Sequence, residues 1–339
     1  MDEQLIFDDI NKIKDFIDAT YLLSPREKES VDRIVYRIAK NMGIVQKYFP
    51  TVQIPKGARE HSIFIETEMS APVFDDDWTR EDLDEVRKEK STFYPIFMHK
   101  DYRLTKVDID ASRSLNQFNI DAQTFTLRGA TSTMAIYKEK VNWRGYDITG
   151  RGETAANWQG SIDSKSKGIL NTSGIQTFDC GDGGDSDIQA AGDGPSSIGK
   201  AAADLIPYHY DGPYWVFLSP QVKIKLLTNK NATTFELDIE RMQSMVDEKG
   251  NKILRGIDTS HYLLNGAEAT NSANKSAMIF IDPMTPSGEP TILLGKEYEI
   301  QHMPVRQDPS VIRGKVVWAG IPMVLRPKAI TVDMQVIYA

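Results

Sequence analysis

The chain is poor in the residues that build disulfides and metal centres. Its 339 residues include a single cysteine, Cys180, which excludes an intrachain disulfide and a zinc site made of cysteines. The negative charge of the neighbouring Asp179, Asp182 and Asp185 is expected to raise the pKa of this thiol and make it a poor nucleophile. No two histidines have metal-ligand spacing on one predicted element; the five are His61, His99, His209, His261 and His302.

A basic surplus and a long apolar run are missing as well. The chain has 40 basic and 48 acidic residues, a net charge of −8, which excludes a dedicated nucleic-acid-binding domain with a basic footprint. The longest apolar run, "VVWAGIPMVL" at 316–325, is too short to span a membrane. The start "MDEQLIFDDI" lacks the charge pattern of a signal peptide. With 40% hydrophobic residues, we expect a soluble, cytosolic protein of about two domains or of one elaborate domain.

One stretch, "GPSSIGKAAADLI" at 194–206, contains the G-x-x-x-x-G-K core of a phosphate-binding loop. Ala201 stands where that motif needs a serine or threonine to hold magnesium, and the residues before the stretch are too acidic to form a buried strand. We therefore reject nucleotide binding. The sequence instead predicts a short helix that is capped by Ser196 or Ser197 and ends before Pro207.

The acidic stretch "DCGDGGDSD" at 179–187 supplies the one chemical alternative that stays open. Its clustered carboxylates suit calcium, although the spacing is not that of an EF-hand, which also needs a distal glutamate. An ordinary acidic surface loop is the other interpretation. No G-x-S-x-G motif occurs. We therefore predict no enzyme, with no catalytic, cofactor-binding or metal-binding residue assigned.

Hydrophobic periodicity predicts a mixed α+β chain. Two amphipathic helices occupy the first fifty residues, the second opening with "SPRE" at 24–27 and stopping near Gly43. From 52 to 110 the alternation predicts a half-exposed strand pair, 61–69 with 102–110, around a charged helix at 75–90. This excursion has too few apolar residues for a core of its own, so we expect it to lie against another surface.

The longest predicted helix spans about 115–143. Its main apolar stripe is Ile120, Leu127, Ala130, Met134, Tyr137 and Val141. Further along, "GPYWVFLSP" at 212–220 predicts a short buried strand, followed by a helix that Ser219 and Pro220 begin. Strands are also predicted at 277–282 and 291–295, and in a C-terminal region broken at Gly320 and Pro327.

The order of these parts resembles the Hong Kong 97-type capsid fold, shared by tailed-phage major capsid proteins and encapsulin shells. "YKEKVNWRGYD" (137–147) is similar to the end of that family's spine helix, and "GILN" (168–171) to the short motif that follows it. "DGPYWVFLSPQVKIKLL" (211–227) resembles the strand and helix of the axial domain. Residues 291–330 resemble the closing strands.

The resemblance implies a division into five parts: an N-terminal helical arm (1–50), an extended loop (51–110), a peripheral domain with the spine helix (111–195), an axial domain (196–300) and C-terminal strands returning to the core (301–339). It implies a major capsid protein that self-assembles through pentamers and hexamers into an icosahedral shell around double-stranded DNA. DNA would be contacted non-specifically, scaffold, portal or decoration proteins would be further partners, and no membrane is involved. The location would be the virion, assembled in the host cytoplasm.

Two alternatives remain at this point. An encapsulin-type shell would enclose a cargo enzyme in the cytoplasm, and a calcium-dependent enzyme would use the acidic loop. The predicted arm is too short to include the long scaffolding segment of many phage relatives. Lys56 lies in the loop that carries an isopeptide cross-link in some relatives, but no partner asparagine is identifiable.

Overall fold

The structure is a computed structural model. It describes residues 43–66, 88–105, 122–145, 167–181, 186–231, 233–263, 275–308 and 311–337. The predicted arm helices up to residue 42 lie outside the described residues, as do 75–87 of the predicted charged helix, the ends of the predicted strand pair (67–69 and 106–110) and the start of the predicted spine helix. The chain is α+β, as predicted.

Helices and strands alternate in blocks along the chain. The described helices are α1 (Val45–Tyr48), α2 (Ala122–Arg144), α3 (Asp193–Leu205), α4 (Pro220–Thr228) and α5 (Asp238–Ser244). The strands are β1 (Thr51–Gln53), β2 (His61–Glu66), β3 (Lys88–Phe93), β4 (Ile96–Thr105), β5 (Gln176–Thr177), β6 (Tyr214–Leu218), β7 (Leu254–Thr259), β8 (Lys275–Ile281), β9 (Ile292–Asp308), β10 (Val311–Val324) and β11 (Ile330–Ile337). Short 3₁₀ turns lie at Ile169–Asn171, Ile206–Tyr208, His261–Leu263 and Pro327–Ala329.

A four-stranded sheet in the order β1-β9-β10-β4 supports the long helix α2. The predicted stripe packs on this sheet, because Leu127, Ala130, Met134 and Val141 are buried in one cluster with Trp318 and other sheet residues. Tyr137 is the exception, with 37% of its surface exposed. The predicted stripe is confirmed at these four positions, whereas Ile120 lies outside the described residues. The last turns of the helix are buried on further sides, with Trp143 in a second apolar cluster.

A five-stranded sheet in the order β5-β11-β8-β6-β7 forms the second layer, and α3, α4 and α5 belong to its apolar cluster. The predicted strand β6 is confirmed, with Tyr214, Phe217 and Leu218 fully buried. The predicted start of α4 is also confirmed: the Ser219 side chain accepts a hydrogen bond from the Val222 N–H, and Pro220 is the first helical residue.

The hairpin β2–β3 forms a sheet of its own. Its register runs from His61 opposite Phe93 to Glu66 opposite Lys88. The predicted pairing of 61–69 with 102–110 is wrong, because β4 pairs with β10 in the four-stranded sheet instead. Residues 88–90, predicted as the end of a charged helix, belong to β3.

Two other boundaries differ from prediction. The strand predicted at 291–295 extends to Asp308 as β9, and β10 continues through Gly320, where a break was predicted. The ladder has register shifts on both sides of Ala319, and an added Cβ at Gly320 would lie 2.5 Å from the Gly295 carbonyl oxygen. Glycine there permits close backbone approach inside a strand. The break at Pro327 is confirmed by a 3₁₀ turn.

Candidate functional site

The phosphate-loop-like residues lie on a helix. α3 begins at Asp193 and ends at Leu205, so Gly194, Gly199 and Lys200 are helical residues and their backbone forms no anion-binding loop. The predicted serine cap is wrong, since Gly192 caps the helix. Ser197 is instead inside the helix and donates its hydroxyl to the Asp193 carbonyl at 2.7 Å. The predicted end before Pro207 is confirmed.

Gly194 allows helices to approach each other. A Cβ added there would lie 2.7 Å from Leu226 Cδ2 on α4 and 2.9 Å from Met242 Sδ on α5. These distances are shorter than van der Waals contact, so the glycine is needed for helix packing. The geometry supports the rejection of nucleotide binding.

The acidic stretch is described only at its two ends, because 182–185 lie outside the described residues. Calcium binding there stays a prediction. Within the part of the chain that the structure describes, no group of three or more His, Cys, Asp or Glu side chains is placed to hold a metal ion. The described helices include none that is long and apolar enough to cross a membrane.

Cys180 is fully buried, and its N–H donates to Asp333 Oδ2 at 2.8 Å. Burial is the main cause that raises the pKa of its thiol, and the charge of Asp333 adds to it. The direction agrees with the prediction. The cause differs, because the sequence pointed to neighbouring aspartates along the chain rather than to burial and a residue of β11.

Sequence reasoning missed a buried charged cluster where α1, α2 and β9 meet. Lys138 Nζ lies 2.9 Å from Glu299 Oε1, and Gln46 Nε2 donates to the same oxygen at 3.0 Å. Glu139 Oε1 accepts the Val45 N–H and the Trp143 Nε1–H, both at 3.1 Å. The signal was present in the sequence, since two adjacent charges follow Tyr137 directly on the predicted apolar helix.

The hydrogen bonds and the ion pair of this cluster join α1, α2 and β9. Burial raises the pKa of the Glu139 carboxyl to about 7, although the hydrogen bonds that the carboxyl accepts act to lower this pKa. Burial also acts to raise the pKa of Glu299, but Lys138 and the donor from Gln46 outweigh it and lower that pKa to about 2. Burial lowers the pKa of Lys138, opposed by Glu299. The cluster therefore joins elements and carries no substrate-facing group.

Large apolar side chains are exposed at two other places. On the hairpin, Phe64 is 64% exposed, and on α4 and just before α5 Ile224 and Phe235 are 61% and 67% exposed. Single exposed apolar residues are common, but a bulky aromatic side chain on a hairpin without its own core is typical of a contact surface. These surfaces, and not a catalytic pocket, are the candidate functional features.

Comparison with known proteins gave structural matches only. No protein-family model matches the sequence, and no curated protein matches it.

Several solved structures of viral and virus-like particles have the same fold. A virus-like particle from Pyrococcus furiosus matches with a TM-score of 0.53 and 14% identity, over 88% of this chain and 98% of the other. The capsid of Myoviridae phage XM1 matches with a TM-score of 0.56 and 10% identity, over 86% and 90%. A chain of Gordonia phage Cozz matches with a TM-score of 0.54 and 12% identity, over 88% and 85%. The chain has the Hong Kong 97-type capsid fold.

Proposed function

We propose that this protein is a structural shell protein that assembles with itself into a closed icosahedral particle of pentamers and hexamers. The observation that carries the proposal is the extent of the structural similarity. The match to the phage XM1 capsid extends over 86% of this chain and 90% of that one, so the likeness includes most of both molecules. An enzymatic role has no comparable support, since the phosphate-loop-like residues are helical.

The five-part division follows from this proposal. The arm is 1–50, the extended loop 51–110, the peripheral domain 111–195, the axial domain 196–300 and the returning strands 301–339. The hairpin supports an extended loop that contacts a neighbouring subunit, because it forms a separate two-stranded sheet and exposes Phe64.

We further propose that the particle is a virion assembled in the host cytoplasm, with double-stranded DNA inside it. The capsids of phage XM1 and of a gene-transfer-agent particle support this choice. DNA would be bound non-specifically, and the net charge of −8 is no obstacle because counterions neutralise much of the phosphate charge. Scaffold, portal or decoration proteins would be further partners.

A cargo-enclosing nanocompartment in the cytoplasm is the second candidate. The observation that favours it is the Pyrococcus furiosus virus-like particle, whose chain is matched over 98% of its length. That match indicates a shell chain of similar extent and does not specify the contents.

Electron microscopy of purified particles, combined with nuclease treatment, tests both steps. We expect closed shells of uniform size that contain nuclease-resistant DNA. A chain that stays monomeric under all assembly conditions contradicts the shell. Closed shells with one stoichiometric enzyme and no protected DNA favour the nanocompartment.

A further inference from the structure

A row of three arginine positions crosses the four-stranded sheet. Arg103 of β4 is the register partner of Arg313 of β10, and Arg313 is paired on its other side with Arg306 of β9. We call these three positions the arginine row. It lies near the end of the β9–β10 ladder, a few residues from the connection between Asp308 and Val311.

Such a row is unfavourable in an isolated subunit. Directly opposite residues of an antiparallel pair have Cβ atoms about 4.5–5.5 Å apart on one face, and like charges there are destabilising. Arg103 and Arg313 are both exposed. Neither has an ion-pair or hydrogen-bond partner within the described ranges.

In the neighbouring row of the sheet, a basic residue is paired with an acidic one. Two residues along both strands, Lys315 is paired in register with Asp101, and its Nζ lies 3.7 Å from Asp101 Oδ1. Arg103 and Arg313 have no such carboxylate among the described residues. Their two exposed guanidinium groups can therefore take an anionic partner, and arginine is suited to bidentate binding of carboxylates or phosphates.

The chain itself contains a segment of matching charge. Between β2 and β3, residues 67–87 contain eight acidic residues against two arginines, Arg80 and Arg87. The acidic residues are Glu68, Asp75, Asp76, Asp77, Glu81, Asp82, Asp84 and Glu85. This segment joins the two strands of the hairpin, which has no apolar core of its own.

We propose that the arginine row is a docking site for the acidic segment 67–87 of a second copy of this chain. This inference rests on the proposed shell function and names the charges that select the neighbouring subunit. Charge complementarity supports the acidic segment, because its eight acidic residues against two arginines are opposite in sign to the row. DNA phosphate is the competing anion, and the assembly test below separates the two. Pairing of this kind fixes orientation and speeds encounter more than it adds affinity.

The first test is a double charge reversal, Arg103→Glu with Arg313→Glu. Both side chains are exposed, so the fold should be retained. We expect the assembled fraction to fall by about tenfold or more, because like charges would then meet across the contact. The matched control is Lys249→Glu with Lys252→Glu, which makes the same charge change at two exposed sites and should assemble as the wild type does.

A compensating variant makes the test specific. Adding Asp75→Lys, Asp76→Lys and Asp77→Lys to the double reversal should restore particles. Failure of this rescue overturns the proposal, and so does normal assembly of the double reversal. Normal assembly with loss of nuclease-protected DNA also overturns it, since the row would then bind phosphate.

A peptide measurement separates this inference from the shell function. A fluorescent peptide of residues 67–87 should bind the unassembled wild-type chain in a salt-sensitive manner, and should not bind the double reversal. Peptide binding by a chain that forms no particles under any assembly condition would contradict the shell function and leave the docking site in place. Particles without peptide binding to the wild-type chain would sink the docking site while leaving the shell.

Discussion

The five-stranded sheet and the β2–β3 hairpin both contain phenylalanine residues, but they bury these side chains to different extents. In the sheet, Phe217 and Phe280 are fully buried, and Phe280 belongs to the apolar cluster to which α3, α4 and α5 contribute. In the hairpin, Phe64 is 64% exposed and the pair of strands forms no larger sheet. The hairpin packs Ile63 and Phe93 against the cluster of Ile54, Ile321 and Met323, but Phe64 is left for another surface to bury.

This difference predicts that the sheet determines the stability of one chain, whereas the hairpin determines the association of chains. Two-stranded hairpins are marginal in water on their own, whereas a sheet with an apolar face and packed helices is stable. Changes in the sheet should therefore alter the free energy of unfolding of one chain. Changes in the hairpin should alter the association of chains and leave that free energy nearly constant.

The largest effect is expected from removing the hairpin. His61 and Phe93 are register partners, so an Asn-Gly turn joins them when Ser62–Thr92 is replaced. The buried Ile54 and Ile96 stay in place. We expect a monomeric chain with cooperative unfolding and no particles, measured by size-exclusion chromatography and circular dichroism. Large closed particles from this variant would contradict the assignment of the hairpin to a contact between subunits.

A matched pair of substitutions sharpens the same comparison. Phe217→Ala removes a ring that lies 5.1 Å from that of Tyr48 and 5.2 Å from that of Trp143, and should cost about 3–5 kcal/mol of unfolding free energy. Phe64→Ala should change it by less than about 0.5 kcal/mol while reducing assembly. Urea denaturation of the unassembled chains measures both. Equal losses of stability would show that the hairpin is part of the core.

The two regions also differ in how far the sequence predicts them. β6 and α4 are short, apolar and bracketed by Gly212, Ser219 and Pro220, so their local signals and their buried environment agree. In the hairpin strands apolar and polar side chains alternate. This pattern predicts which side chains share a face of the strand, but it does not predict which strand pairs with it. Choosing 102–110 as the mate of 61–69 was wrong because register depends on long-range pairing with β10.

Of the candidate site, neither charged group of residues was predicted. The expectation of no enzyme rests on composition and motifs and stays a prediction. The arginine row needs the register of β4, β9 and β10, since Arg103 lies about 200 positions before Arg306 and Arg313 in sequence. The buried Lys138–Glu299 pair needs the same long-range information.

A smaller effect is expected at the charged cluster that joins the arm to α2. The pKa of Glu139 is raised from 4.5 to about 7, so the folded chain binds this proton more tightly than the unfolded chain. Its stabilising contribution is fully present below pH 4.5 and is lost as the pH rises through 7. Glu299, with its pKa lowered to about 2, stays ionised throughout that window and contributes a constant amount.

Urea denaturation between about pH 5 and pH 9 measures this contribution. The wild-type chain should lose about 1–3 kcal/mol more than Glu139→Gln over that range. Glutamine preserves an oxygen that accepts the Val45 and Trp143 donors, so the variant removes the titration and not the contact. The same pH slope in both proteins would place the titrating group elsewhere.

The smallest effect is expected in the region of the five-stranded sheet, at the phosphate-loop-like residues of α3. Lys200 is only partly buried on α3, so Lys200→Ala should change the unfolding free energy by less than about 0.5 kcal/mol and leave assembly intact. Gly194→Ala provides the contrast in the same motif, because its Cβ would collide with Leu226 and Met242; a loss of about 1 kcal/mol is expected after the gain in helix propensity.

If these residues formed a nucleotide-binding loop, the result expected for Lys200→Ala would be different. Its lysine contacts the phosphates, so Lys200→Ala would then abolish ATP binding while hardly affecting stability. Isothermal titration calorimetry of the wild-type chain with ATP and magnesium decides between them. No heat of binding is expected, since a helix with its amides hydrogen-bonded internally has no free donors for a triphosphate at Gly199 and Lys200. Micromolar, magnesium-dependent ATP binding that Lys200→Ala removes would contradict this interpretation and would make α3 part of a nucleotide site.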